Sequence, residues 1–276
     1  MVTIRVCLIG YGAIAKTLER ALGAYSESVR IVGVLGHSYD LGKTTPTGAP
    51  FLRNLDALIA AEPDIVVECA GHAAVKALGP ALLESGIDLI LASVGALADV
   101  ELERSFRDAM RTGGGRLIIP SGAIAGLDGI AAAKIVGIDS VLYRARKPPR
   151  SWRGTAAEGM IDLDNLSGAA VFFQGDAREA CMRFPQNANV TAAIALAGVG
   201  FEKTGVVLEV DPETINNEHQ ILVTGSFGSM EIAIKGTPLP DNPRTSTLAA
   251  YSLVHSLLRK AADGRAGAPP GSVAVR

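Results

Sequence analysis

His219 is one of four histidines in this chain of 276 residues, and its surroundings suit chemistry. It lies in the segment INNEHQI, at the start of a predicted strand and beside two asparagines and a glutamate. An imidazole changes its charge near neutral pH, so His219 in this polar corner suits a general acid or base. As an imidazolium it would instead bind a carboxylate, and the residues alone leave both roles open.

A glycine-rich turn near the N-terminus is the second chemical signal. Gly10, Gly12 and Ala15 form the pattern G-x-G-x-x-A between a predicted strand and a predicted helix. Such a turn is typical of dinucleotide binding, because the second glycine lets a pyrophosphate approach the backbone. The amides of Ala13 and Ile14 would stand at the helix N-terminus, where phosphate is favoured. A turn without a ligand is the alternative, but the pattern here opens a series of five alternating strands, which favours the nucleotide.

The residues after the second predicted strand bear on which dinucleotide is bound. An enzyme that uses NAD usually has an acidic residue there, which binds the ribose hydroxyls. In this chain the strand ends in VLGHS, so Gly36, His37 and Ser38 occupy the place. A 2′-phosphate would meet no negative charge, and Ser38, His37 or Lys43 offers it a partner, although no arginine does. The sequence therefore predicts NAD or NADP and does not choose between them.

A regular alternation of strands and helices in the first part of the chain must position these residues. Continuous apolar segments rich in valine, isoleucine and leucine are typical of strands buried on both faces of a parallel sheet. Five of them precede residue 121: IRVCLIG, RIVGVLG, DIVVECAG, DLILAS and RLIIP. Helical segments separate them, near 13–24, 52–61, 73–85 and 99–112. The order predicts an α/β protein with an N-terminal Rossmann dinucleotide-binding domain at 1–122.

The pattern changes after residue 122. Short turns such as GSFGS between the next strands predict an antiparallel sheet with one covered face. In the last strand, alternate residues from Met230 to Lys235 should face opposite sides. A helix near 190–199 should lie across this sheet, so that 123–244 forms a C-terminal α+β substrate domain. The strand segments are SVLYRARKP, GAAVFFQG, TGVVLEVD, HQILVTGSF and SMEIAIKG.

A final helix is predicted at 245–262 and a loose tail at 263–276. Five apolar residues at helical spacing suit packing of this helix back on the first domain: Leu248, Tyr251, Val254, Leu257 and Leu258. His255 lies among them, which favours a structural role. His72 follows the strand segment VVECAG, where it is either a helix start or a neighbour of the nicotinamide.

Composition excludes several classes of function. The formal net charge of −2 provides no electrostatic surface for nucleic acid. No apolar run approaches the roughly 20 residues that span a bilayer, so no membrane association is expected. The three cysteines are widely spaced and form no metal-ligand pattern, which predicts no metal site and a reduced, cytoplasmic protein.

Two segments should line the crevice between the domains. PSGAIAGLDG, residues 120–129, leads from the fifth strand into the second domain, and its small residues would admit a flat nicotinamide ring. RFPQNANVTAA, residues 183–193, places Asn187 and Asn189 at the start of a helix. Asparagine caps helices well, and its amide also recognises cofactors and substrates, so both roles stay open.

Seven segments together resemble the L-aspartate dehydrogenases: GYGAIA, VVECAG, PSGAIAGLDG, FPQNANVTAA, VGFEKTGV, NNEHQI and PDNPRTSTLAAYS. They occur in order from about residue 3 to about residue 262. The resemblance implies a Rossmann domain followed by an α+β domain that binds substrate and forms a homodimer. It also implies that His219 is the active-site histidine and that Ala123 and Asn189 contact the cofactor.

The resemblance implies a reaction as well. This family oxidises L-aspartate to iminoaspartate with NAD or NADP, and the product hydrolyses to oxaloacetate and ammonia or feeds quinolinate and pyridine nucleotide biosynthesis. The reverse reaction is the reductive amination of oxaloacetate. Both substrate carboxylates need positive partners, and the second domain contains four candidates: Lys147, Arg150, Arg153 and Lys203.

Two other functions compete with this one. A related enzyme of amino-acid metabolism, such as a homoserine dehydrogenase or a dihydrodipicolinate reductase, has a similar architecture. A nucleotide-binding sensor that has lost catalysis would bind the cofactor without turnover. The presence of His219 argues against the sensor, because a sensor needs no acid–base group there.

Overall fold

Two large sheets, one short two-stranded sheet and their helices form the protein in a computed structural model, which describes residues 3–36, 41–239 and 242–266. His37 and Ser38, which bear on the choice between NAD and NADP, lie outside the described residues. Most of the predicted loose tail lies outside them too. Within the described ranges, no helix has the length and apolar character needed to cross a membrane.

Six parallel strands form the N-terminal sheet: β1 (Ile4–Ile9), β2 (Val29–Leu35), β3 (Phe51–Leu52), β4 (Ile65–Glu68), β5 (Asp88–Leu91) and β6 (Leu117–Ile118). Their order is β3-β2-β1-β4-β5-β6, with every pair parallel. Four helices connect them: α1 (Ala13–Leu22), α2 (Leu55–Ala60), α3 (His72–Glu84) and α4 (Val100–Gly113). The predicted Rossmann arrangement is confirmed. The pattern missed β3, because two residues are too few to show a period.

The second sheet contains five strands: β7 (Ile138–Lys147), β8 (Ala170–Asp176), β9 (Thr204–Val210), β10 (Asn217–Gly225) and β11 (Gly228–Gly236). Helix α5 (Leu127–Val136) precedes them, and α6 (Ala177–Arg183) and α7 (Ala188–Ala197) lie between β8 and β9. The strand order is β11-β10-β7-β9-β8, and β7 pairs with β9 in parallel. The prediction of a wholly antiparallel sheet is therefore wrong. After β7 the chain forms β8 at the edge of the sheet and passes through α6 and α7. It then returns as β9 between β7 and β8, in the same direction as β7.

The pairing of β7 with β10 sets which side chains share a face. His219 lies opposite Ala145 and Glu218 lies opposite Arg146 in antiparallel register. Since residues two apart along a strand face the same way, Tyr143 and Lys147 lie on the same face as His219. On the neighbouring β11, alternate residues from Met230 to Lys235 are half-buried and exposed, as predicted.

The C-terminal segment returns to the first domain. A short antiparallel pair, β12 (Pro238–Leu239) and β13 (Asn242–Ser246), leads into helix α8 (Thr247–Ala266), which packs on α1. The buried stripe of α8 is Ala250, Leu253, Val254, Leu257 and Ala261.

Two of the apolar residues predicted to pack, Leu248 and Tyr251, are instead 43% and 49% exposed. They lie off the stripe that the helical period of 3.6 residues turns toward the sheet. His255 is also exposed, so the structural role expected of it is wrong.

A buried carboxylate ties α8 to the edge of the first sheet. Asp88, at the start of β5, accepts hydrogen bonds from the Arg116 backbone amide at 2.9 Å and from its guanidinium at 2.7 Å. Lys260 of α8 donates to the same carboxylate at 2.7 Å. Burial alone would raise the pKa of Asp88, but the bonds from Arg116 and Lys260 hold it below its usual range. Asp88 therefore stays ionised and joins three elements.

Replacing Asp88 by asparagine should lower the free energy of unfolding by about 2 to 4 kcal/mol, because two cations lose their carboxylate. Urea denaturation would measure the change. The matched control is Asp108→Asn, because the pair of Asp108 with Arg111 is exposed to solvent. This substitution should change the free energy of unfolding by less than about 0.5 kcal/mol. Equal effects of the two substitutions would contradict the role of Asp88.

Candidate active site

The turn between β1 and α1 has the geometry of a phosphate cradle. Gly10 has φ +83°, and a Cβ there would lie 2.8 Å from the Cα and the Cβ of Ala70. A Cβ on Gly12 would meet none of the described residues within 4 Å, so these residues leave the space above its backbone open. Gly12 occupies the N-cap position of α1, no side chain caps the helix, and Ala13 and Ile14 are its first two residues. Free amides and open space at a helix N-terminus fit a pyrophosphate.

Glu68 holds the neighbouring loop in place. Its buried carboxylate, at the end of β4, accepts bonds from the amides of Ala70 at 2.6 Å and Gly71 at 2.7 Å. It also accepts from the amide of Ser93 at 2.9 Å and from its hydroxyl at 3.0 Å. The carboxyl ends of β4 and β5 are joined in this way, and Ala70 is fixed against Gly10. Sequence reasoning missed this residue, although a carboxylate ending an apolar strand was a visible signal.

A cavity between the two domains brings most of the candidate residues together. Ile14 of the first domain, Ala123 of the linking segment, and Asn189 and His219 of the second domain all line it. Gly10, Gly12 and Ala13 are not among its lining residues. The two domains thus meet at the carboxyl edge of the parallel sheet, which is where α/β sheets bind ligands.

His72 does not line this cavity. It is the first residue of α3, and its ring lies against Gly95 in the 3₁₀ turn Val94–Ala98. Of the two roles open to His72 in the sequence, the helix start describes its position.

The two asparagines at the start of α7 do not cap the helix with their side chains. Asn187 occupies the N-cap position without a capping bond, and its Oδ1 accepts a hydrogen bond from Lys147 Nζ at 2.5 Å. The Oδ1 of Asn189 accepts from the backbone amide of Gly95 at 3.0 Å. That bond joins the second domain to the first and leaves the amide nitrogen of Asn189 to donate.

His219 is held by a tyrosine. The Tyr143 hydroxyl lies 2.8 Å from Nδ1 of His219, and the two rings stack with 13° between their planes. Burial raises the pKa of Tyr143, so its hydroxyl keeps its proton. Nε2 is therefore the ring nitrogen that His219 can offer to a ligand in the cavity.

The imidazole of His219 is neutral at ordinary pH. Burial, and then the positive charge of Lys147, lower the pKa of His219 from 6.5 to about 3. A neutral ring has a free lone pair with which to accept a proton, whereas a ring that stayed charged in the resting protein would be both desolvated and repelled by Lys147. The alternative role of His219, as a cation that binds a carboxylate, is therefore disfavoured.

Lys147 is the basic candidate of the second domain that reaches the cavity. It is 8% exposed, its ammonium lies 5.2 Å from the centre of the Trp152 ring, and burial lowers its pKa to about 8. Arg150 donates to the backbone oxygen of Ile215 at the surface. Arg153 pairs with an exposed aspartate and Lys203 is exposed.

Ser246 and Asn217 also line the cavity, and the sequence indicated a role for neither. Lys147, Asn217, His219 and Ser246 together form the polar end of the cavity. Asn217 accepts a hydrogen bond from the Ser151 hydroxyl at 3.3 Å. Ser246 Oγ is buried without a hydrogen-bond partner among the described residues. The signal for Asn217 was its spacing of two from His219 on one strand.

Gly10→Ala and Gly12→Ala should separate folding from dinucleotide binding. Gly10→Ala should cost about 1 to 3 kcal/mol of unfolding free energy, because the new methyl group meets Ala70 at a positive φ. Gly12→Ala should fold with a change below about 1 kcal/mol but lose at least about tenfold in affinity for the reduced dinucleotide. Urea denaturation and a fluorescence titration measure the two effects. Wild-type affinity in Gly12→Ala would contradict the placement of the pyrophosphate.

Acid should destabilise the fold through His219. Between about pH 6.5 and about pH 3 the unfolded chain binds a proton that the folded chain excludes, so stability falls as pH falls through this window. Between neutral pH and about pH 5 the contribution is on the order of 2 kcal/mol.

His219→Gln should therefore lose less stability than the wild type over the same interval, as measured by urea denaturation at the two pH values. Other titrating groups are common to both proteins and cancel in the comparison. An identical pH dependence in the two proteins would show that His219 is not kept neutral by the fold.

Two family models together match most of the chain. The family described as aspartate dehydrogenase, C-terminal, matches residues 128–260, and that described as homoserine dehydrogenase, NAD binding domain, matches residues 10–120. The chain is 44% identical over 260 residues to the L-aspartate dehydrogenase of Serratia proteamaculans, across 94% of this chain and 98% of that protein. The corresponding enzyme of a Polaromonas strain is 41% identical across 93% and 97%.

Solved structures show the same likeness. The aspartate dehydrogenase of Thermotoga maritima superposes with a TM-score of 0.73 at 27% identity, across 98% of this chain and 100% of that one. The amine dehydrogenase of Mycobacterium smegmatis, with a TM-score of 0.56 at 14% identity across 99% and 95%, shares the fold. Because L-aspartate dehydrogenases match 93% to 94% of this chain at 41% to 44% identity, the chain belongs to the L-aspartate dehydrogenase family.

Proposed function

We propose that this protein oxidises L-aspartate at its α-carbon to iminoaspartate, with NAD or NADP as the acceptor. In the reverse direction it would aminate oxaloacetate reductively with ammonia. The observation that carries the proposal is the shared cavity, in which Ile14, beside the phosphate turn, meets Ala123, Asn189 and the neutral His219. Membership of the family supports the choice of substrate.

The residues of the cavity fit the nicotinamide end of a dinucleotide whose pyrophosphate lies at the turn after β1. When bound, the nicotinamide ring accepts the hydride from the α-carbon of the substrate. The open space above Gly12 receives the pyrophosphate, and Gly122 and Ala123 leave room for a planar ring. The side-chain nitrogen of Asn189 is positioned to donate, because its oxygen is occupied by Gly95.

His219 is proposed as the acid–base group. Hydride leaves an amine most readily when the nitrogen is neutral, so the substrate ammonium must first lose a proton. Nε2 of a neutral His219 can accept that proton while Nδ1–H donates to the Tyr143 oxygen. In the reverse direction, the protonated ring returns this proton from Nε2 to the amine nitrogen, and Nδ1–H still donates to the Tyr143 oxygen. The Tyr143 oxygen accepts from Nδ1–H in both protonation states of the ring, so Nε2 is the nitrogen that exchanges the proton.

Further properties are proposed with this activity. A homodimer is supported by Leu142 and Leu222, which lie side by side and half-exposed on the sheet face opposite His219. Supply of iminoaspartate for quinolinate and pyridine nucleotide biosynthesis follows from the proposed product. The cytoplasmic location and the use of NADP stay predictions.

A spectrophotometric assay tests the activity. Purified protein with L-aspartate and either NAD or NADP should form reduced nicotinamide at alkaline pH, and oxaloacetate with ammonium should consume it. His219→Ala should lower kcat by about 10²- to 10⁴-fold with cofactor affinity unchanged. The matched control is His255→Ala, since His255 is exposed on α8 and should leave kcat unaltered.

The same assay decides between the proposal and its alternatives. Turnover of L-homoserine in place of L-aspartate would point to the related dehydrogenase, whose NAD binding domain resembles residues 10–120, although residues 128–260 match the aspartate dehydrogenase family. Tight dinucleotide binding without turnover of any amino acid would point to the sensor. Either result would overturn the proposed function.

A further inference from the structure

Lys147 is a buried cation without a counterion. Its ammonium donates to the amide oxygen of Asn187 at 2.5 Å and lies over the face of the Trp152 ring. No carboxylate among the described residues forms an ion pair with it. A buried charge that is paired only with neutral groups costs free energy, which a fold tolerates where a ligand supplies the missing charge.

The sheet holds this cation in a fixed place. Lys147 is the last residue of β7 and Asn217 the first of β10, and the pair lies one step beyond Arg146 and Glu218 in the register. Both residues lie on the same face as His219 and line the cavity. The aromatic ring of Trp152 is itself fully buried, in edge contact with Phe172. The ammonium therefore cannot swing out to solvent as a surface lysine would.

A second polar group at this end of the cavity also lacks a partner. Ser246 is 5% exposed, and its Oγ has no hydrogen-bond partner among the described residues. It lies close to the start of β10, since a Cβ on Gly236 would be 3.1 Å from this Oγ and 3.5 Å from the backbone oxygen of Asn217. A buried hydroxyl left unpaired is costly, and here it lines the same cavity as Lys147.

A cation and a hydroxyl donor form the receptor that a carboxylate needs. A carboxylate oxygen accepts strongly from an ammonium and also from a hydroxyl. His219 is neutral and so supplies no positive charge, and among the described lining residues Lys147 is the only cation. We propose that Lys147 and Ser246 together bind one carboxylate of the four-carbon substrate and so select an acidic substrate over an uncharged one. This inference rests on the proposed function.

Substitution of these residues should separate binding from folding. Lys147→Met keeps the length and apolar stem but removes the charge, so KM for L-aspartate should rise at least about tenfold while cofactor affinity is unchanged. Ser246→Ala should raise KM several-fold. Neither variant should unfold at a lower urea concentration than the wild type. Lys147→Met removes a buried charge that has no counterion among the described residues, and Ser246→Ala removes a buried hydroxyl that has no hydrogen-bond partner among them.

Rescue and a matched control make the result specific. Lys147→Arg keeps the charge and should recover part of the affinity, whereas Lys203→Met removes an exposed lysine of the same domain and should change nothing. Succinate, a four-carbon dicarboxylate without an amine, gives a readout independent of turnover. Its dissociation constant, measured by calorimetry with the oxidised cofactor present, should rise in parallel with KM.

Three outcomes would overturn the proposal. One is a fall in kcat with KM and succinate affinity unchanged, which would place Lys147 in proton transfer. A second is loss of stability in both variants with substrate affinity unaltered, which would make the pair structural. A third is succinate binding that is equally tight in the wild type and in Lys147→Met. A different result would separate the two proposals. If the wild type binds succinate but does not oxidise L-aspartate, and Lys147→Met no longer binds succinate, the proposed function fails while the carboxylate receptor stands.

Discussion

In the pairing of β7 with β10, His219 lies opposite Ala145, and Tyr143 and Lys147 flank that position on the same face. Side chains alternate between faces along a strand, so a slip of one residue would turn His219 away from both partners. The buried Tyr143, Ile221 and Val223 hold the register, because the same slip would expose all three to the open face. The hydrophobic core of the second domain thereby sets the geometry of its polar end.

The polar end is built from groups that influence one another. Lys147 lies close enough to His219 to lower its pKa, and burial acts on both in the direction of neutrality. An anion beside Lys147 would cancel the part of that effect due to charge and leave the part due to burial. Substrate binding and the proton affinity of the histidine are therefore linked through one lysine, without any movement of the backbone.

The first domain contributes position more than chemistry. Glu68 gathers the loops after β4 and β5, and the bond from Gly95 to Asn189 fastens α7 of the second domain to one of them. Helix α8 packs on α1, and its Lys260 pairs with Asp88, so the C-terminal segment is also attached to the first domain. The cavity is held from both sides, so the nicotinamide end of a dinucleotide and a small substrate would be confined to a common space.

Local patterns determined much of this protein. The apolar strand segments predicted five of the six strands of the first sheet, and the G-x-G-x-x-A turn predicted Gly10 and Gly12 in the roles that their backbone geometry supports. These features depend on periodicity and on turn chemistry, which neighbouring residues specify. The resemblance of seven sequence segments indicated the family and His219, and it required no knowledge of distances.

Only the tertiary structure decided which side chains meet. The parallel pairing of β7 with β9 depends on a crossover that strand patterns do not reveal, and the buried stripe of α8 depends on the surface beneath it. Lys147 was one of four basic residues of the second domain named as candidates for the substrate carboxylates, with nothing local to set it apart. It became the cation of the cavity because the register of β7 places it beside His219, while Arg150, Arg153 and Lys203 are turned to the surface. Burial and contact between distant segments arise from packing, and no local pattern contains them.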